Sequence, residues 1–175
     1  MKKPYFFLFV FLLVFLDLFL KVWVFNNQAS LFSAGWWWEK ISFFDVVYLE
    51  NPGMAFGLLN QGNYWIKFFL SFFRVFAVLF MFYYVLSRYH RFSFFSLLVF
   101  GLLIAGASGN CIDSVFYEVW GLNNSNLGGG FFSGNVIDMF SLSFFPPIFN
   151  LADSFITVGC FLGLIFYKHL PGLSS

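Results

Sequence analysis

PPIFNLADSFITVGCFLGLIFY, residues 146–167, is the stretch whose reading decides how the chain folds. It is long and apolar enough to cross a hydrocarbon core, which takes about 20 such residues. Yet it carries Asn150 and Asp153, three positions apart. An ionised Asp at a bilayer centre costs roughly 2.5 to 3.5 kcal/mol on insertion scales, so the pair calls for a reason. Pro147 suits the first turn of a helix. The reading is therefore a membrane helix that enters at FFPP and turns Asn150 and Asp153 inward on one face.

The rest of the chain agrees with a membrane setting. It is 61% hydrophobic and 10% charged, against roughly 25% charged in an ordinary soluble domain, and its mean hydropathy is +0.83. The 32 Phe residues are read as lipid-facing filler. Three more stretches are long enough to span: Tyr5 to Phe25, Tyr64 to Leu86 and Phe92 to Ile112. The initial MKK and the apolar run after it read as a retained first helix, because the run is too long for a signal-peptide core and lacks a small-residue cleavage pattern. Lys2, Lys3, Arg88, Arg91 and Lys168 all fall on one side of these four spans, which makes that side cytoplasmic and puts both termini there.

Two polar segments lie opposite, Asn26 to Asn63 and Asp113 to Phe145. The alternation ISFFDVVYLE and the turn-forming NPG predict a short sheet at the outer surface, and NNSN with GGG predicts a loop. The expected fold is thus all-α with a small β element, one membrane-embedded domain over residues 1–175. A net charge of +1 with no basic cluster to neutralise phosphates argues against a nucleic-acid partner. Cys111 and Cys160 read as apolar packing residues, with no metal-ligand spacing.

Polar residues gather at one depth. Asp17 lies about 12 Å below the outer boundary of the first span and Asp153 about 10 Å into the fourth, and GASGNCID brings Asn110 and Asp113 to that level. Asp17 with Lys21, Asn110 with Asp113, and Asn150 with Asp153 are spaced to share helix faces. One such pair reads best as an interhelical tie. Three at one depth favour a site. Gly101, Ala105, Gly106, Ala107 and Gly109 admit a neighbouring backbone or a ligand.

The chemistry open to this set is that of aspartate. The only histidines, His90 and His169, fall on the cytoplasmic side, and neither HExxH nor a phosphate-binding glycine loop is present. Two carboxylates held close share a proton, so that one activates water while the other donates to the carbonyl under attack. Asp138, in GNVIDMF, and Asp113, in GNCIDS, are both available to partner Asp153, and spacing does not choose between them.

These residues fall in four ordered motifs: DLFLK from Asp17 to Lys21, NPGMAFG from Asn51 to Gly57, GASGNCID from Gly106 to Asp113 followed by VID ending at Asp138, and FNLADS from Phe149 to Ser154. In this order, over nearly the whole chain, they resemble the lipoprotein signal peptidases, or signal peptidase II, a family of bacterial membrane aspartic endopeptidases. The resemblance implies four membrane helices, an outer β-cradle and a periplasmic-side helix or loop. It implies Asp138 and Asp153 as the catalytic pair, Asn110, Asp113 and Asn150 as supporting hydrogen-bonding residues, Asn51 and Gly53 beside the substrate, and Asp17 and Lys21 as the fixing of the first helix. It further implies a prolipoprotein whose cysteine carries diacylglycerol as substrate, cut just before that cysteine, with no cofactor or metal. The expected setting is the bacterial cytoplasmic (inner) membrane, with the site toward the periplasmic side, membrane lipids as partners and a monomeric enzyme.

Four features depart from the family pattern. Ser114 stands where Arg commonly follows GNxxD, Leu18 where Gln follows the first-helix Asp, and Glu50 where a basic residue precedes NxG. Asp113 and Asp138 are 25 residues apart because NNSNLGGG and its flanks, within residues 114–137, are inserted; loop closure grows costlier only slowly with length. Arg74, ten residues into the second span, is a candidate for the missing charge, against snorkelling or pairing with an acid. Readings from other classes are a proton-coupled transporter relaying through Asp17, Lys21 and Asp153, which calls for polar groups through the full membrane depth, and a non-enzymatic assembly factor.

Overall fold

In the computed structural model, residues 1–31, 35–52, 64–122 and 130–167 are described. Gly53 and most of NPGMAFG, NNSNLGG, Lys168 and His169 lie outside them. The elements in chain order are α1 (Lys3–Leu31), a 3-10 turn (Trp37–Lys40), β1 (Phe44–Asn51), α2 (Tyr64–Ser87), a second 3-10 turn (Tyr89–Arg91), α3 (Phe94–Trp120), β2 (Val136–Leu142), β3 (Phe145–Phe149) and α4 (Leu151–Ile165).

α1, α2 and α3 are long and apolar enough to cross a membrane. Their aromatic residues mark the outward faces: Phe11, Phe15 and Phe19 on α1 and Phe69, Phe73, Phe76 and Phe80 on α2 are exposed. At i, i+4 spacing they form ladders, with Phe11, Phe15 and Phe19 stacked at 6.3 Å between ring centroids. α4 is apolar, but its 15 residues extend only about 22 Å.

Two element boundaries correct the sequence reading. FPPIF does not open the fourth helix but forms β3, the edge strand of an antiparallel sheet ordered β1-β2-β3. An edge strand tolerates prolines because its outer N–H groups have no ladder partner to serve. The helix starts only at Leu151, where Asn150 accepts from the Asp153 backbone N–H at 2.8 Å and Asp153 accepts from the Asn150 N–H at 3.2 Å. This reciprocal capping box makes Asn150 a cap and Asp153 a first-turn residue, instead of two members of one mid-membrane face.

The third helix does not end at Ile112. SVFYEVW contains no breaker, so α3 runs on to Trp120 and stops at Gly121, whose φ of 65° is the left-handed conformation that glycine adopts freely. Asp113 is therefore interior to α3. Residues 114–120 of the expected loop are helical, and residues 131–135 return against the bundle: the Phe132 N–H donates to the Val115 carbonyl and the Gly134 N–H to the Ser114 carbonyl.

α3 is the central helix, packed against α1, α2 and α4. A Cβ on Gly106 would strike the Ala152 carbonyl, and one on Gly109 would strike Asp17 Oδ2. The absence of side chains there lets α4 begin directly against α3 and α1. Apolar packing at one end joins Phe6, Val10, Val85, Tyr89, Leu97 and Ile104. At the other it joins Val24, Trp38, Val46, Tyr117, Ile137 and Met139, so the sheet is seated on the ends of α1 and α3.

Candidate active site

The centre is an ion triad. Lys21 and Asp17, one turn apart on α1, pair at 2.8 Å, and the same ammonium lies 2.7 Å from Asp113 Oδ2 on α3. All three side chains are fully buried, where a charge is tolerated only when paired and hydrogen-bonded. Lys21 also donates to Asn110 Oδ1 at 3.1 Å, and Asp17 Oδ1 accepts from the Ala152 N–H at 2.9 Å. The triad thereby fastens α1 to α3 and to the first turn of α4, the turn that holds Asp153.

Asp138 comes to the same place on the sheet. Leu49 lies opposite Asp138 and Asn51 opposite Val136 in the β1–β2 ladder, so Asn51 is the diagonal neighbour of Asp138 on one face. Its Nδ2 donates to Asp138 Oδ2 at 2.9 Å. Asn150 Nδ2 donates to Asp138 Oδ1 at 2.7 Å and to Asn110 Oδ1 at 3.1 Å, and Asn110 Nδ2 donates to Asp153 Oδ1 at 2.7 Å. Two asparagines thus link both carboxylates.

Asp138 and Asp153 line one cavity of about 680 Å³. Its polar end adds Asn51, Arg74 and Asn110, and its walls are Leu142, Phe144, Phe145, Ile148 and Phe149 of the β2–β3 hairpin with Val158 of α4. Burial pushes the Asp138 carboxyl up to about 6; its hydrogen bonds from Asn51 and Asn150 hold it down, and the charge of Asp153 adds to the rise.

Each described residue expected at the site is in this cluster or against it. Asp17, Lys21, Asn110, Asp113, Asn150, Asp138, Asp153 and Asn51 share the network, and Gly106 closes on Ala152. Asp113 faces Lys21 and is not among the cavity-lining residues.

Lys67 and Ser71 were missed in the sequence. With Arg74, the candidate for the missing charge, they form a stripe at i, i+4 and i+7 on α2, and that spacing was legible. Lys67 donates to the Ser133 carbonyl at 3.2 Å and to Asn135 Oδ1, and Ser71 donates to the Phe132 carbonyl at 3.4 Å. Asn135 in turn donates to Glu50 Oε2 at 2.8 Å, and Tyr48 donates to Glu50 Oε1. Glu50, unexpected before NPG, thus ties β1 to the segment leading into β2. Arg74 donates to Ser114 Oγ at 2.5 Å, and Ser114 donates to the Asn110 carbonyl at 2.9 Å.

A helical membrane protein with two acids held over an apolar cavity is the class that this fold and site define. The signal peptidase (SPase) II family profile matches residues 9–168, and the chain belongs to that family, a family of peptidases. It is 35% identical to the lipoprotein signal peptidase of Porphyromonas gingivalis over 93% of this chain and 82% of that one. It is 33% identical to the lipoprotein signal peptidase of Clostridioides difficile over 87% of this chain and 86% of that one. Two solved bacterial membrane enzymes share the fold: one at 26% identity with a TM-score of 0.62 over 94% of this chain and 88% of that one, the other at 25% identity with a TM-score of 0.64 over 94% and 93%.

Proposed function

We propose that this chain is an aspartic endopeptidase that removes signal peptides from diacylglyceryl-modified prolipoproteins, cutting before the lipidated cysteine, with Asp138 and Asp153 as its catalytic pair. The observation that carries the reading is that these two carboxylates line the same cavity and are joined through Asn150 and Asn110.

The pair shares one proton. Asp138, raised by burial, retains it and donates to the scissile carbonyl, while Asp153 takes a proton from water as that water attacks. Collapse of the tetrahedral intermediate returns a proton to the leaving amine. Asn110 and Asn150 hold the two carboxylates in register, and Asn51 fixes Asp138 from the cradle side. The apolar wall from Leu142 to Phe149 suits acyl chains.

In this reading the protein is one domain over residues 1–175 and a monomer, with α4 as a fourth span. Lys2, Lys3, Arg88 and Arg91 mark the cytoplasmic side of the inner membrane, both termini lie there, and the cavity opens toward the periplasmic side among membrane lipids. A transporter relay would need polar groups through the full depth, whereas the packing around Phe6, Val10, Leu97 and Ile104 is apolar.

The test is cleavage of a diacylglyceryl-modified prolipoprotein by purified protein. Asp138→Asn and Asp153→Asn should each lower the rate by about 10² to 10⁴, and Asp113→Asn should leave a measurable rate. Folded Asp138→Asn and Asp153→Asn variants cleaving at the normal rate would exclude the assignment. Abolition by Asp113→Asn alone, without unfolding, would transfer the role of Asp138 to it.

A further inference from the structure

Arg74 stands apart from the other members of its stripe. Lys67 and Ser71 are buried and direct their donors to the returning segment at Phe132, Ser133 and Asn135. Arg74, less than one turn further along α2, is only half-buried and lines the cavity that holds Asp138 and Asp153. Among the described residues that line it, it is the only basic one. Its guanidinium is steadied by Ser114, whose own hydroxyl is anchored on the Asn110 carbonyl, so its position is referred to the α3 turn that holds Asp153 through Asn110.

An arginine within an apolar helix is costly and is kept where it faces protein or a water-filled cavity. A planar guanidinium with five N–H donors and no acceptor is suited to oxygen acceptors. Around it, Asn51 and Asn110 already direct side-chain amides to the two carboxylates.

We propose that Arg74 is a substrate-binding residue that holds a carbonyl oxygen of the lipid-modified substrate beside the scissile bond; this rests on the cavity being the peptidase site. The oxygen belongs either to the peptide backbone or to a glyceryl ester of the lipid, and Arg74 donates to it in the same way in both cases. Because that contact forms on binding and persists through the reaction, its loss appears in KM rather than in kcat.

The experiment compares wild type, Arg74→Leu and the double variant Arg74→Leu/Ser114→Arg on two lipopeptides, one with ester-linked diacylglyceryl and one with ether-linked dialkylglyceryl. Arg74→Leu is expected to raise KM about 10- to 100-fold for the ester substrate, the range for a hydrogen bond to a charged group, with kcat changed less than about threefold and the melting temperature little altered. A KM rise of the same size for the ether substrate assigns the oxygen to the peptide. A wild-type KM already raised for the ether substrate, and unaffected by Arg74→Leu, assigns it to the lipid ester.

Ser114 Oγ touches the guanidinium, so an arginine placed at 114 reaches the same end of the cavity, and the double variant is expected to recover KM. An unchanged KM in folded Arg74→Leu, a loss of kcat in step with lost stability, or a folded double variant that keeps the raised KM would each overturn the inference. If Asp138→Asn and Asp153→Asn abolish cleavage while Arg74→Leu leaves KM unchanged, only the role of Arg74 fails. If those two aspartate variants cleave normally, the peptidase assignment of the cavity fails first.

Discussion

Asn150 donates its side-chain amide to Asp138 Oδ1 at 2.7 Å, and its backbone N–H reaches Asp153 Oδ2 at 3.2 Å, so a single helix-capping residue is bonded to both cavity carboxylates. The cap of α4 and the linkage between the two acids are the same residue. Whatever shifts the start of α4 therefore shifts the geometry of the pair, and the consequences can be measured.

The pH dependence of cleavage follows from Asp138. Burial raises its carboxyl to about 6, and the proposed chemistry needs that group protonated. kcat/KM, which reports the free enzyme, should therefore descend above pH about 6, approaching tenfold per unit. A rate profile in detergent micelles checks this, and a flat profile from pH 5 to 9 would contradict it.

Stability should carry the same signature. A carboxyl whose folded value, about 6, exceeds its ordinary value of 3.8 binds more protons in the folded state than in the unfolded one. Its contribution is complete below pH about 4 and is lost as pH rises through 6, a change of about 3 kcal/mol at 1.36 kcal/mol per unit. Asn at 138 does not titrate. The stability of Asp138→Asn relative to wild type should thus grow by about that amount from pH 4 to above 6, read by chemical denaturation at several pH values.

The ion triad predicts an asymmetry. Lys21→Met leaves Asp17 and Asp113 buried without their shared cation and should cost about 3 to 5 kcal/mol. Asp113→Asn keeps the Lys21–Asp17 pair and should cost less. Equal losses in thermal stability for the two variants would contradict this arrangement.

Glycines on opposite sides of the α3–α4 contact should respond differently. Gly109→Ala drives a methyl into Asp17 Oδ2 and against Ala152 Cβ, and should cost about 1 to 3 kcal/mol with reduced cleavage, because Asp153 shares that turn. Gly163→Ala on α4 meets only Val99 Cγ1 at 3.5 Å, an ordinary contact. Its helical position should gain up to about 1 kcal/mol. Thermal melts of the two variants decide the matter.

Much of the molecule was legible from periodicity and motif order. Three long apolar helices and an outer strand at FDVVYLEN follow from hydropathy runs and alternation, which act over a few neighbouring residues. Lys67, Ser71 and Arg74 also stood at helical spacing, but their partners at Phe132, Ser133, Asn135 and Ser114 are 40 to 68 positions away, beyond any local pattern. The two misread boundaries have the same origin. FPPIF is apolar enough for a helix and becomes a strand because β2 offers it an edge, and α3 outruns Ile112 because Tyr117 finds packing against the sheet.

By itself, then, the sequence determined that the chain belongs in a membrane and which polar side chains it must shelter there, because the cost of burying a charge in hydrocarbon is written in composition and spacing. Which acids face a cavity and which face Lys21 was decided only by tertiary structure. Asp113 and Asp138 stand in similar local sequences, GNCID and GNVID. One lies inside a helix against a buried ammonium and the other on a strand beside Asn51, and that difference comes from long-range packing between α1, α3 and the sheet.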